Sequence, residues 1–441
     1  MTDNDKIRSI LSQLLLPALE YIMLGLMILC STSIWLRYGF GLSHINIIKI
    51  LIIILCSLIV LYQILFKRSS IVPKQWLFWT VFLLVCFSFG ALGSSIDLSS
   101  NLSSTLKLLI PSLCFLALAF SMEQGEIAVL CRRYVNLMLS IACVSLFFWL
   151  FGSVLQLISP SGTISYQWDW TRETATYYGL YFEPQVSDSL FSGMIKNCGI
   201  FTEGTMYGFM LCLAYMFERN LYQSRPAVLI ILTITIFSTL STMPILVWLL
   251  FEGIMLLANI NSYLSNKFQS NQLKIIKVLS LVVVIVALFS LIFFLITGKL
   301  STGSYSVRSD HLINCFRAFF ESFPFGYGYG NTDLLKETLS YNQGLSVGIP
   351  YFMALGGIGA VLIIIIPVLL YIYYSWKLSN WKNIVFAISF ECIFFLTNIV
   401  FNSMLQWFVI TVIFLKGGYE MKIELADNEM TIELADNETD E

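Results

Sequence analysis

Charge is scarce in this sequence. Asp, Glu, Lys and Arg make up 12% of its 441 residues, hydrophobic residues make up 57%, and the formal net charge is -2. Without a basic surplus the chain has no surface suited to a polyanion, which argues against nucleic acid as a partner. Histidine occurs only twice, and the cysteines show neither a CxxC nor metal-ligand spacing to histidine, so neither a metal centre nor a cofactor is expected. The cysteines fall mostly inside apolar runs (Cys30, Cys56, Cys86, Cys114, Cys143) and read as small buried hydrophobes. A disulfide between Cys198 and Cys315 is the alternative, since sequence alone does not set their separation. The first 23 residues, MTDNDKIRSILSQLLLPALEYIM, have no small-residue cleavage site after a short hydrophobic core. The first apolar run is therefore expected to be a retained anchor.

What the chain has instead is apolar length. Mean hydropathy is +0.80. Runs such as Ile47 to Phe66 and Leu279 to Ile296 are apolar on every side, so lipid rather than a protein core is their expected solvent. Such runs can be marked at 17–38, 47–66, 75–93, 104–122, 134–157, 198–217, 226–240, 243–260, 277–297, 347–374, 383–400 and 404–416. The expected fold is all-α: a polytopic integral membrane protein of about twelve transmembrane helices.

Lys and Arg orient it, because they concentrate in cytoplasmic loops. With the N-terminus inside, every inner loop is basic, from Lys67, Arg68 and Lys74 to Lys377 and Lys382. The expected organisation is then 1–158 with spans one to five, 159–197 as a first large extracytoplasmic loop, and 198–297 with spans six to nine. There follow 298–346 as a second large extracytoplasmic loop, 347–416 with spans ten to twelve, and 417–441 as an acidic cytoplasmic tail repeating IELADNE. Merging the seventh and eighth runs would invert everything after them.

The unusual residues gather in the two outer loops. The first carries SYQWDWTRETATYYGLYFEPQVSDSLF, dense in aromatics; the second carries SYSVRSDHLINCFRAFFESFPFGYGYGNTD. Arginine offers phosphate oxygens a fixed fork of donors and keeps its charge, aromatic rings give flat surfaces for sugar faces, and glycines let backbone approach a ligand. Together these suit a lipid-diphosphate-linked sugar. Each has a plainer reading: arginines pairing with Asp310 and Glu321, a Gly-Tyr run that is a turn, and His311 as a packing residue.

The segment Arg308 to Gly330, followed by the Gly-rich GIPYFMALGGIGAVL, resembles the loop region of the O-antigen polymerase (Wzy-type) and O-antigen ligase families. NCGIFTEGTMYGFMLCLAYMF, at Asn197 to Phe217, is similar to the Gly-Ile-Phe-x-Glu element of capsule and O-antigen polymerases. Arg317 and Gly328 fit a recurring pattern of Arg followed by Gly after ten residues. Ligases commonly carry a histidine in the loop leading to the Gly-rich span, where this chain reads LSYNQGLSVGIP, so the resemblance favours the polymerase.

The resemblance implies a membrane glycosyltransferase for O-antigen or capsule biosynthesis on the outer face of the cytoplasmic (inner) membrane. It would move a growing glycan from undecaprenyl diphosphate to a lipid-linked repeat unit, without metal. Its partners would be that lipid-linked oligosaccharide, the bilayer, and the flippase and chain-length regulator of the same pathway. Arg317 and Arg308 are assigned to the diphosphate, and Glu203, read as a turn and a half into its span, to the general base. Arg172, Lys196, Tyr327, Gly328 and His311 are candidate substrate contacts. Glu203 could instead be a carboxylate stabilised at a helix N-terminus. Glu252 and Glu391, inside apolar runs, keep alive a rival reading as a lipid-linked oligosaccharide flippase or ion-coupled transporter.

Overall fold

A computed structural model describes residues 14–37, 43–67, 73–93, 98–167, 171–187, 192–220, 224–267, 303–337, 347–396, 404–418 and 420–421. The described chain is mostly helical. In order come α1 (Leu16–Cys30), α2 (Ser43–Lys67), α3 (Pro73–Ala91), α4 (Leu98–Ser121) and α5 (Gln124–Phe148), the last continuing as a π-helix to Val154. A sheet of β1 (Gly162–Gln167), β2 (Thr171–Tyr177) and β3 (Tyr181–Phe182) precedes α6 (Gly204–Asn220), α7 (Pro226–Ser238) and α8 (Thr242–Lys267). Then follow α9 (Gly303–Glu321), α10 (Thr332–Glu337), α11 (Ile349–Lys377), α12 (Trp381–Leu396) and α13 (Met404–Phe408), which runs on as a π-helix to Leu415.

Among the described residues five helical segments are long and apolar enough to cross a membrane: Ile45–Phe66, Lys74–Ala91, Leu98–Ser121, Gly125–Val154 and Ile349–Lys377. Four further apolar helices are shorter. The run at 277–297 and the repeated acidic tail lie outside the described residues.

Three local expectations change. The run at 17–38 is interrupted after Cys30, where Ser31 donates its hydroxyl to the Met27 carbonyl and Thr32 takes a positive φ of 72°. A Ser-Thr-Ser sequence offers the backbone alternative partners and ends the helix. The run at 198–217 begins as a helix only at Gly204, after a turn containing Gly199 at φ 56°. Glu203 therefore stands immediately before α6, not a turn and a half inside it. And the fold is not all-α: the first large loop folds into a three-stranded antiparallel sheet, the one sheet among the described residues.

The chain divides into two units. The first takes residues 1–137, 310–384 and 397–441, and in it α2 packs on α1 and α4, while α3 packs on α4 and α11. The Gly-Tyr-Gly-Tyr-Gly run belongs here. The amides of Tyr327 and Gly328 donate to the carbonyls of Ala354 and Leu355 at 2.9 and 2.8 Å, and Gly330 donates to Asn101 Oδ1 at 2.8 Å. Gly357 has φ 59° and ψ -145°, a conformation open essentially to glycine, and interrupts α11 where the Pro324 carbonyl accepts from Ile358 at 2.8 Å. Tyr329 is buried against Gly90 and Gly356, each of which leaves no room for a Cβ.

The second unit takes 138–309 and 385–396. Here α6 packs against α7 and α8. Buried Asn197 donates to Ser145 Oγ and Ser238 Oγ at 3.3 and 2.9 Å, while its carbonyl oxygen accepts from Gly199 at 3.2 Å. That single side chain fixes the approach to α6.

Candidate functional site

The sheet explains how the first loop presents its charge. Burial alternates along the paired strands: Tyr166, Thr174 and Thr176 are buried and Arg172 is half-buried, whereas Thr163, Ser165, Gln167, Thr171 and Glu173 are exposed. Period-two alternation of this kind puts one set of side chains inward. Tyr166 lies directly opposite Arg172, so ring and guanidinium leave the sheet on the same side. At the sheet's other end Phe148, Tyr177 and Tyr181 form an aromatic cluster, and Glu183 accepts hydrogen bonds from Tyr177 Oη at 2.9 Å and Ser153 Oγ at 2.6 Å.

After β3 the chain returns towards α6 through Gln185, which fixes two functional candidates together. Its carbonyl accepts from the Lys196 amide at 3.0 Å, and its side-chain oxygen accepts from the Gly204 amide at 3.2 Å. Lys196 and Glu203 are thereby held on neighbouring stretches of backbone, both half-buried, with fully buried Cys198 between them in sequence. Arg308, on the second turn of α9, completes the group. It is half-buried, and its Nη1 atom is buried without a hydrogen-bond partner among the described residues.

Electrostatics tie these groups into one site. Burial pulls the Arg308 guanidinium below the usual arginine range, and Glu203 opposes that shift. Burial pushes the Tyr166 hydroxyl above the ordinary phenol range; Arg172 opposes the rise, and Cys198 and Glu203 add to it. The Cys198 thiol is raised by burial as well, with Lys196 opposing and Glu203 adding. Glu203 acts directly on Arg308, and Arg172 and Lys196 act on Tyr166 and Cys198, the same two groups that Glu203 acts on, so three cations and this carboxylate share partly desolvated surroundings. Such a site favours an anion of more than one charge.

Of the eight residues selected from sequence, Arg172, Lys196, Glu203 and Arg308 converge in this way. Arg317, His311, Tyr327 and Gly328 belong to the other unit. Arg317 is exposed on α9, and nine residues of α-helix separate it from Arg308 by about 13 Å of rise and half a turn. His311 is fully buried, and Gly328 packs against the Asn101 side chain where a Cβ would collide. Tyr327 Oη lies 3.4 Å from Glu321 Oε2, and burial raises its phenol. Sequence reading passed over Tyr166 and Gln185. Cys198 and Cys315 are both free thiols. Glu252 is engaged by Arg219 Nε at 3.1 Å and Tyr215 Oη at 2.8 Å.

The described chain is mostly helical, with five helices long and apolar enough to cross a membrane, and carries a cluster of three cations and one carboxylate beside a small sheet. No protein-family model, curated protein or solved structure matches the chain.

Proposed function

We propose that the chain is a polysaccharide repeat-unit polymerase of the inner membrane, with about twelve spans and both termini cytoplasmic. What supports this reading is the register that sets Arg172 opposite Tyr166, the Gln185 bonds that hold the backbone of Lys196 and Gly204 together, and the action of Glu203 on Arg308. The three cations hold the diphosphate of an undecaprenyl-diphosphate-linked glycan and stabilise it as it leaves. Glu203 takes the proton of the acceptor sugar hydroxyl. The oxygen attacks the anomeric carbon, the bond from that carbon to the diphosphate oxygen breaks, and the electron pair leaves with the lipid diphosphate. The proton on Glu203 then passes to solvent.

Arg317, exposed on α9 and in the other unit, takes no part in this cluster. Glu252, one of the two acids behind the transporter alternative, pairs with Arg219 and Tyr215, which leaves that alternative resting on Glu391. The test is elongation of a synthetic lipid-linked repeat unit by the purified protein. Polymer should form with the wild type and fall at least about 100-fold with Glu203→Gln. Equal polymer from that variant would remove Glu203 as the base.

A further inference from the structure

The first unit contains a cavity of about 600 Å³ that shares no residue with the cationic cluster. Two helices wall it, and each offers one face at helical spacing: Asn46, Lys49, Ile50 and Ile53 from α2, and Ser103, Leu106, Lys107 and Ile110 from α4. Both faces grade the same way along the chain. Polar Asn46 and Ser103 come first, the lysines follow, and Ile53 and Ile110 come last. Both lysines line the one cavity, and like charges sharing a cavity repel. Both helices are apolar enough to span a membrane, where a cation is costly and marks a functional position by default. Ile50, Leu106 and Ile110 are 57%, 43% and 46% exposed, so the wall beside the lysines is apolar and open on the helices' outer side.

We infer that this cavity is a binding site for a lipid with a phosphate or diphosphate head, the head between Lys49 and Lys107 and the hydrocarbon chain along Ile53 and Ile110. A shared anion offsets the repulsion between the lysines, and the polar-to-apolar grade along both helices matches an amphiphile, not a soluble ion. Tyr329 and Gly330 line the cavity too, and Gly330 is held by its bond to Asn101. That gives the Gly-Tyr run a role in shaping a lipid site. The inference rests on the chain lying in a membrane and not on the transfer chemistry proposed above.

The test is native mass spectrometry of the full chain in neutral detergent with undecaprenyl phosphate, phosphatidylglycerol or inorganic diphosphate added. All proteins carry Arg172→Gln, Lys196→Gln and Arg308→Gln, so that the other cluster has none of its three cations in any protein compared. The parent should retain a phosphate-headed lipid at least about tenfold more tightly than the Lys49→Gln/Lys107→Gln variant, and Lys49→Arg/Lys107→Arg should keep that binding. Undecaprenyl phosphate preferred over phosphatidylglycerol would identify a carrier-lipid site, and the reverse preference a membrane-phospholipid site; both support the inference. Equal lipid retention by the glutamine variant would overturn it. So would inorganic diphosphate competing as well as the lipids, which would make the cavity a soluble-anion site.

Discussion

Tyr166 and Arg172 stand directly opposite one another across β1 and β2, and both side chains leave the sheet on its inward face. The buried ring stands beside the half-buried guanidinium across the strand pair. Tyr166→Ala should lower stability by about 3 kcal/mol, the usual cost of emptying a buried aromatic site, and reduce polymer formation. Tyr166→Phe should cost less than about 1 kcal/mol, because the ring remains. Thermal unfolding of the purified protein alongside the elongation assay checks both.

Arg308 brings to the cluster a buried Nη1 that has no hydrogen-bond partner among the described residues. Lysine there would keep the charge and lose the fork. Arg308→Lys should reduce elongation about 100-fold with normal membrane insertion. Arg317→Lys should cost less, since that side chain is exposed. Equal losses at the two positions would show that the fork at Arg308 has no special part.

Gly357 occupies a conformation available essentially to glycine, and a Cβ there would meet the Pro324 carbonyl. Gly357→Ala should cost about 3 kcal/mol or more, as backbone strain and collision add. It should lower the thermal midpoint while leaving the residues of the second unit's cluster unaltered. A midpoint equal to the wild type would contradict this account of the interrupted helix.

The Tyr177 hydroxyl is pushed up to about 12 by burial first and by its hydrogen bond to Glu183 second. The unfolded chain loses this proton near pH 10, whereas the folded chain keeps it until about pH 12. In that window the folded state binds more protons, so stability falls as pH rises, by about 1–2 kcal/mol from this residue. Glu183→Gln should flatten the fall. Chemical unfolding at pH 9 and pH 12 measures it.

Much of the helical framework was legible because lipid demands long apolar runs: α2, α4 and α11 follow from hydropathy alone. The sheet was harder to find. Its alternation is carried by Ile164, Tyr166, Thr174 and Thr176, where threonine supplies half of the inward face and blurs the pattern. A period-two reading of GTISYQ and TRETATY would have found it. The start of α6 was misplaced because Cys198, Ile200 and Phe201 are as apolar as a span, although Gly199 and Gly204 bracket a turn.

The Gly-Tyr run was legible as unusual but not as packing. Its partner Asn101 lies 229 residues away in sequence, and no local pattern carries that contact. Arg172, Lys196 and Arg308 were legible as cations in the outer loops, and Glu203 as an acid within an apolar run. Their convergence was not, because it depends on Gln185, an ordinary residue in sequence that ties two stretches of backbone.

The most direct measurement is the length distribution of surface glycan in cells lacking this protein, resolved on a gel after complementation with wild type, Arg308→Lys or Glu203→Gln. The expected result is glycan capped at a single repeat unit in the deletion strain, a full ladder with the wild type, and the capped pattern with both variants at normal protein levels. A full ladder from either variant would contradict the assigned site. Loss of all surface glycan in the deletion strain, with lipid-linked units accumulating on the cytoplasmic face, would contradict the polymerase reading itself and establish a flippase.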